Sequence, residues 1–123
     1  MAQKIIIVSV FCVFLIALPF KADAATLNLS PSTGSYIVGG SFSVTMYVAS
    51  VDQAMNAVSG NLSFPQDVLE VISISRGGSI MSLWVQEPTY SNTTGTVNLE
   101  GIVLNPGYTG PAGKIISVNF RAK

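Results

Sequence analysis

The sequence predicts an all-β fold, a β-sandwich of two packed layers, and three observations support this prediction. Residues 42–48 and 58–64 alternate between apolar or glycine positions and polar positions, which is the period of two of a half-buried strand. Glycine and proline punctuate the chain at intervals of about eight to twelve residues, as expected for short strands joined by turns. After residue 25, no stretch of helix length has an apolar period of 3.6 residues. Short strands with one apolar face each are typical of a sandwich.

The first strands are predicted in the segment that ends near Val51. Residues 26–29 alternate briefly and stop at the turn-forming cluster 30–34, which indicates a short edge strand. The glycine pair 39–40 predicts a second turn. A long alternating strand follows, from Ser41 to about Val51.

The middle of the chain predicts three further strands. The strand at 57–64 ends at Pro65, because proline has no amide hydrogen for the ladder. Residues 71–74 read as the next strand. Residues 86–90 form another, which Pro88 restricts to a sheet edge or a bulge.

The last third of the chain completes the sandwich. Residues 92–95 predict a hairpin loop before a strand at 96–104. Residues 105–113, rich in glycine and proline, form the longest predicted irregular stretch, and residues 114–121 form the final strand. The total is about eight or nine short strands in one domain.

Residues 1–24 have the layout of a secretory signal peptide. Lys4 precedes an apolar stretch at residues 5–20, and the small-x-small sequence Ala22-Asp23-Ala24 follows it. The apolar stretch is shorter than the roughly 20 residues that span a bilayer, which disfavours the alternative of an uncleaved membrane anchor. We therefore expect cleavage after Ala24, a single domain at residues 25–123, and a protein that is secreted, extracellular or displayed at the cell surface.

The composition excludes several classes of function. The chain contains no histidine, and its one cysteine, Cys12, lies in the predicted signal peptide. A Ser-His-Asp triad and a thiolate metal site in the domain are therefore excluded. A carboxylate pair for glycoside hydrolysis is formally available, but isolated acids on a sheet are more commonly solvated charges. A formal net charge of +0 without a basic cluster argues against nucleic acid. We expect no enzyme activity, no cofactor, no metal ion and, after cleavage, no membrane association.

Three segments of the chain resemble a cohesin module. They are Gly39–Val44, Ala57–Val71 and Gly113–Phe120, and the most specific piece is the run Phe64-Pro65-Gln66-Asp67-Val68-Leu69-Glu70-Val71. The resemblance covers residues 26–123. It implies a jelly-roll β-sandwich of about nine strands, related in fold to carbohydrate-binding modules. It also implies binding of dockerin modules on other secreted proteins, an interaction that assembles polysaccharide-degrading complexes.

The chain diverges from cellulosomal cohesins at the strand that precedes this run. Ala57 and Ser59 stand where those members often carry Asn and Asp, and Pro65 replaces the usual Asp. In the family, this strand contributes to the sheet face that meets dockerin helices. We therefore expect a partner-binding face at the polar positions that alternate with the apolar ones in these two strands. Its residues are Ser43, Thr45, Tyr47, Ala57, Ser59, Asn61 and Ser63.

Two other functions fit the same architecture. The domain could bind polysaccharide directly on an aromatic platform made of Trp84, Tyr90 or Tyr108, although filling the core is the competing role for Trp84. It could also be a structural spacer in a larger surface protein. The main expectation is a monomer that recognises a dockerin-like protein module.

Overall fold

The computed structural model describes Ser9–Val10 and residues 25–123, and in this part of the chain the protein is all-β. The strands are β1 (Ser9–Val10), β2 (Thr26–Ser30), β3 (Ser41–Met55), β4 (Ala57–Ser63), β5 (Leu69–Ser75), β6 (Leu83–Ser91), β7 (Thr96–Ile102) and β8 (Tyr108–Ala122). They form two antiparallel sheets of four strands each. The front sheet has the order β1-β4-β7-β6, and the back sheet has the order β2-β3-β8-β5.

Both sheets contribute their apolar sides to one shared core. Val44 of β3, Leu62 of β4 and Phe120 of β8 are 2%, 1% and 0% exposed, so the expected common interior is confirmed. The ring of Phe120 contacts Phe64 edge-on at a centroid distance of 5.3 Å, which joins the two sheets. Burial of large apolar and aromatic side chains is the main favourable contribution to folding in a domain of this size.

The burial pattern of β4 shows how the alternation in the sequence produces this packing. Along β4 the side chains at 57, 59, 61 and 63 are exposed, and those between them are buried. Gly60 occupies a buried position, and a Cβ added there would lie 3.5 Å from Met46 Sδ of the back sheet. The absence of a side chain therefore lets Met46 and Leu99 fill the space between the sheets at this point.

Several predicted elements are confirmed. β2 is a short strand at the edge of the back sheet. β6 is at the edge of the front sheet, and its pairing with β7 shifts register on both sides of Gln86, in the region that contains Pro88. The turn before β7 ends at Gly95, which has a φ of 72° and donates its N–H to Ser91 O at 2.9 Å. The hairpin loop expected at 92–95 is thus present.

The boundaries of the two longest strands differ from the prediction. β3 continues to Met55, and β8 begins at Tyr108, so much of the segment 105–113 is a strand and not an irregular loop. The pairing between β3 and β8 shifts register between Val48 and Ser50 and again before Met55. Such shifts allow glycine and proline to be part of a strand. The glycine and proline residues of 105–113 therefore did not indicate an irregular loop.

The number of strands also differs from the prediction. Residues 25–123 contain seven strands, β2–β8, where eight or nine were expected. The all-β architecture with two antiparallel sheets is confirmed, the count of about nine strands is wrong, and the jelly-roll topology stays a prediction. The predicted signal peptide lies outside the described residues, apart from Ser9 and Val10. No helix in the described part of the chain has the length and hydropathy required to cross a membrane.

Candidate binding face

The structure places the seven predicted partner-binding residues on two different surfaces. Four of them lie on the outward side of β4 in the front sheet, namely Ala57, Ser59, Asn61 and Ser63. The other three lie on β3 in the back sheet, namely Ser43, Thr45 and Tyr47. Since the apolar sides of both sheets meet in the shared core, the two polar sides point in opposite directions. No single flat partner can contact all seven residues at once.

The outward side of the front sheet is a regular array of cross-strand rows. In β4 and β7, Ser59 lies opposite Glu100, and Asn61 lies opposite Asn98. The Asn61 Nδ2 group donates a hydrogen bond to Asn98 Oδ1. β6 supplies the third strand of these rows. We call this surface the front face, and its members are Ala57, Ser59, Asn61, Ser63, Leu83, Gln86, Thr89, Ser91, Thr96, Asn98, Glu100 and Ile102.

One end of the front face is apolar. Leu83, Ile102 and Ala57 are aligned across β6, β7 and β4 by the strand register. Leu83 is 54% exposed. Leu104 is 57% exposed and adjoins this row, because its N–H donates to Ser82 Oγ at 3.2 Å. Clustered exposed aliphatic side chains are characteristic of interaction surfaces.

This apolar end was not identified from the sequence. Ile102 has the same parity as Thr96, Asn98 and Glu100, so the alternation in β7 contained the signal for its outward position. Whether Leu83 lies beside Ile102 at this apolar end depends on the register between β6 and β7, which a single sequence does not reveal. The front face therefore combines a polar array of small side chains with an apolar end, and Glu100 is the one charged residue among its members.

The outward side of β3 belongs to a surface of different character. Ser43 Oγ donates to Asn119 Oδ1 at 2.5 Å, and Asn119 Nδ2 donates to Ser73 Oγ at 2.8 Å. The hydroxyls of Thr45 and Ser117 are 2.9 Å apart. These side chains thus hydrogen-bond to one another across β3, β8 and β5. Groups that are already paired offer fewer donors and acceptors to a partner.

The aromatic residues of the carbohydrate alternative do not form one platform. Trp84 is partly buried, and a Cβ added to Gly101 would lie 3.3 Å from its Cε3, so the indole covers this glycine at the border of the core. Tyr108 is also packed against the core, and its hydroxyl accepts the Ala112 N–H at 3.2 Å.

Tyr90 is the most exposed of the three aromatic residues, at 43%. It follows Trp84 by six positions along β6, which separates the two by about 20 Å at 3.3 Å per residue. Tyr108 belongs to the back sheet. A planar row of these three side chains is therefore absent.

The acidic side chains of the described residues do not cluster, and two of them form ion pairs. The described residues contain no group of three or more Asp, Glu, His or Cys side chains that could hold a metal ion. Among them, Glu87 pairs with Arg76 at 3.3 Å, and Glu70 pairs with Arg121 at 2.5 Å. Exposed ion pairs of this kind contribute little to stability.

No protein-family model matches this chain, and searches of curated proteins and of solved structures likewise return no match. The resemblance to cohesin modules therefore stays a prediction from the three sequence segments.

Proposed function

We propose that this protein is a secreted, non-enzymatic binding module that recognises a protein partner of dockerin type through its front face. The observation that carries the proposal is the exposed outward side of β4, β7 and β6, where small polar side chains adjoin the apolar row of Leu83, Ile102 and Ala57. A partner of this type would place the module in an extracellular or cell-surface assembly for polysaccharide degradation.

The dimensions of the front face suit an α-helix as the contacting element. In a sheet of three strands the two outer strands are about 10 Å apart, and a strand of seven residues is about 20 Å long. A helix has a diameter of about 10 Å, and about 13 of its residues extend over 20 Å. Small side chains such as Ala57 and Ser59 allow the helix to approach the sheet closely.

The distribution of polar and apolar side chains also supports a protein partner. Protein interfaces combine an apolar centre, which supplies most of the binding energy, with polar groups that fix the register. Leu83 and Ile102 provide the apolar part, and Asn61 with Asn98 provides amide groups. Direct binding of polysaccharide receives less support, because Trp84 and Tyr108 pack against the core and leave Tyr90 as the one exposed candidate of the three.

The experiment that tests this proposal compares one substitution on each face. Asn61 and Asn28 are both exposed asparagines on outward positions, the first in the front sheet and the second in the back sheet. We expect Asn61→Arg to reduce retention on immobilised dockerin modules at least about tenfold, because a long charged side chain would occupy the contact surface. Asn28→Arg is the matched control and should leave retention unchanged.

The same proteins are applied to insoluble cellulose and chitin. Retention of the wild-type chain on a polysaccharide, together with no retention on any dockerin, would contradict a protein partner and favour the carbohydrate alternative. Equal losses for Asn61→Arg and Asn28→Arg would contradict the assignment to the front face. Unfolding of both variants by denaturant verifies that the substitutions do not act through stability.

A further inference from the structure

The edge of β4 carries backbone groups whose direction follows from the pairing with β7. The Phe64 N–H donates to Gly95 O at 2.8 Å, and the Val103 N–H donates to Asn56 O at 2.7 Å. Both bonds continue the β4–β7 register at its two ends. Hydrogen-bonded and non-hydrogen-bonded pairs alternate along an antiparallel ladder, so the even-numbered residues of β4 direct their backbone groups to β7. The backbone groups that point to the opposite side, the free edge, are those of Ala57, Ser59, Asn61 and Ser63.

β1 is the one described strand that pairs with this edge. Ser9 lies opposite Ser63, and Val10 lies opposite Leu62, in antiparallel orientation. The pairing covers two residues of β4. For the rest of the strand, from Ala57 to Asn61, no pairing partner on this side occurs among the described residues.

The other sheet edges have features that prevent the addition of a further strand, and β4 lacks them. β6 has Pro88 and two register shifts, and β5 has a register shift after Val71. β2 is five residues long, and Pro31 follows it. β4 pairs with β7 in one continuous register over all seven residues and contains no proline and no charged side chain. A regular, uncharged edge of this kind is a template for another strand.

We propose that the free edge of β4 is a strand-acceptor site, and that the N-terminal segment containing Ser9 and Val10 occupies it in the uncleaved chain. This segment is the occupant because its residues are the ones seated on the edge. It lies within the predominantly apolar stretch 5–20, which contains no charged residue that would disfavour pairing with an edge strand. Removal of residues 1–24 by the predicted cleavage opens the site.

The opened edge adjoins the front face. Ala57, Ser59, Asn61 and Ser63 present their side chains to the front face and their backbone groups to the edge. Loss of the N-terminal segment therefore exposes backbone donors and acceptors beside the proposed partner contacts. Cleavage would in this way couple export of the protein to the availability of an additional strand-binding surface.

The test is a disulfide trap in the full-length chain. Cys12→Ser removes the native thiol, and Ser9→Cys with Ser63→Cys places two thiols at paired positions. Directly opposite residues in an antiparallel pair have Cα atoms about 4.5–5.5 Å apart, within the range that a disulfide bridges. We expect mild oxidation to give an intramolecular disulfide in most molecules. The matched control is Ser9→Cys with Ser59→Cys in the same background, where four residues of displacement, about 13 Å, should prevent the bond.

Three outcomes would overturn the proposal. The first is no disulfide in the Ser9–Ser63 pair, and the second is an equal yield in the Ser9–Ser59 control. The third is disulfide-linked dimers through position 63, which would show that a second copy occupies the edge.

A second measurement does not depend on thiol chemistry. In the full-length chain with Cys12→Ser, Ser9→Pro removes one backbone donor from the pairing with Ser63, whereas Ser9→Ala retains it. We expect the Ser63 amide hydrogen to exchange at least about tenfold faster in the proline variant than in the alanine variant. Equal exchange rates would contradict occupation of the edge by this segment.

Discussion

At the scale of single residues, Asn92 makes a contact that links the two sheets. Its Oδ1 accepts the Val71 N–H at 2.7 Å, and its Nδ2 donates to Val71 O at 3.1 Å. The side-chain amide therefore acts as a strand partner for one residue of β5. The sequence predicted only that Asn92 begins a hairpin loop, because a contact with a residue 21 positions earlier has no local signature.

Replacing Asn92 should destabilise the domain. Val71 is 3% exposed, so Asn92→Ala leaves a buried N–H and a buried C=O without their partner. An unsatisfied buried polar group costs about 1–3 kcal/mol, and we expect a loss of this size in the free energy of unfolding, measured by denaturant titration. Thr93→Ala, at the exposed neighbouring position, is the control and should change the free energy of unfolding by less than ~0.5 kcal/mol. Equal effects of the two substitutions would contradict the role of Asn92.

At the scale of elements, the alternating pattern predicted strands well and the ends of strands less well. The outward and inward residues of β4 were predicted from parity alone, and the burial of Val58 and Leu62 confirms them. The beginning of β8 was missed, because Pro111 and the neighbouring glycines suggested a loop. Their accommodation depends on pairing with the distant end of β3, which local sequence does not reveal.

The β6–β7 hairpin provides a test at this scale. Gly95 has a φ of 72°, and a Cβ at this position would collide with the carbonyl oxygen of Phe64. We expect Gly95→Ala to reduce the free energy of unfolding by about 1–3 kcal/mol, because a side chain is strained in this conformation. Thermal or denaturant unfolding measures the loss.

Gly77→Ala is the matched control for the hairpin. Gly77 is not among the glycines with positive φ, and the nearest atom to an added Cβ is Ser75 Oγ at 3.5 Å, which is ordinary contact. The free energy of unfolding of this variant should lie within ~0.5 kcal/mol of the wild-type value. A Gly95→Ala variant as stable as Gly77→Ala would show that the turn has a different backbone conformation.

At the scale of the whole molecule, the sequence predicted which side of each strand faces the core but not which sheet contains the strand. β3 and β4 have the same alternation, and this pattern, together with the resemblance to cohesins, predicts one binding face containing residues of both. Sheet membership depends on long-range pairing, β3 with β8 and β4 with β7, and these pairings divide the predicted residues between opposite surfaces. The apolar end of the front face was missed for the same reason.

The division into two faces also determines how the proposed function operates. The back face has hydrogen bonds between its own side chains, such as Asn119 with Ser43 and Ser73. The front face combines one asparagine pair with exposed aliphatic side chains at one end. A partner gains more binding free energy from covering the front face, because burial of its apolar area is favourable and few existing hydrogen bonds must be broken.

β3 and β4 belong to different sheets that share one interior, so their polar sides face opposite directions. Proton–proton NOEs measured on the domain test this arrangement. We expect NOEs between the rings of Phe64 and Phe120, whose centroids are 5.3 Å apart, and between Met46 and Leu99, which both approach Gly60. Absence of these NOEs, together with cross-strand NOEs between β3 and β4, would place both strands in one sheet and overturn the separation of the two polar faces.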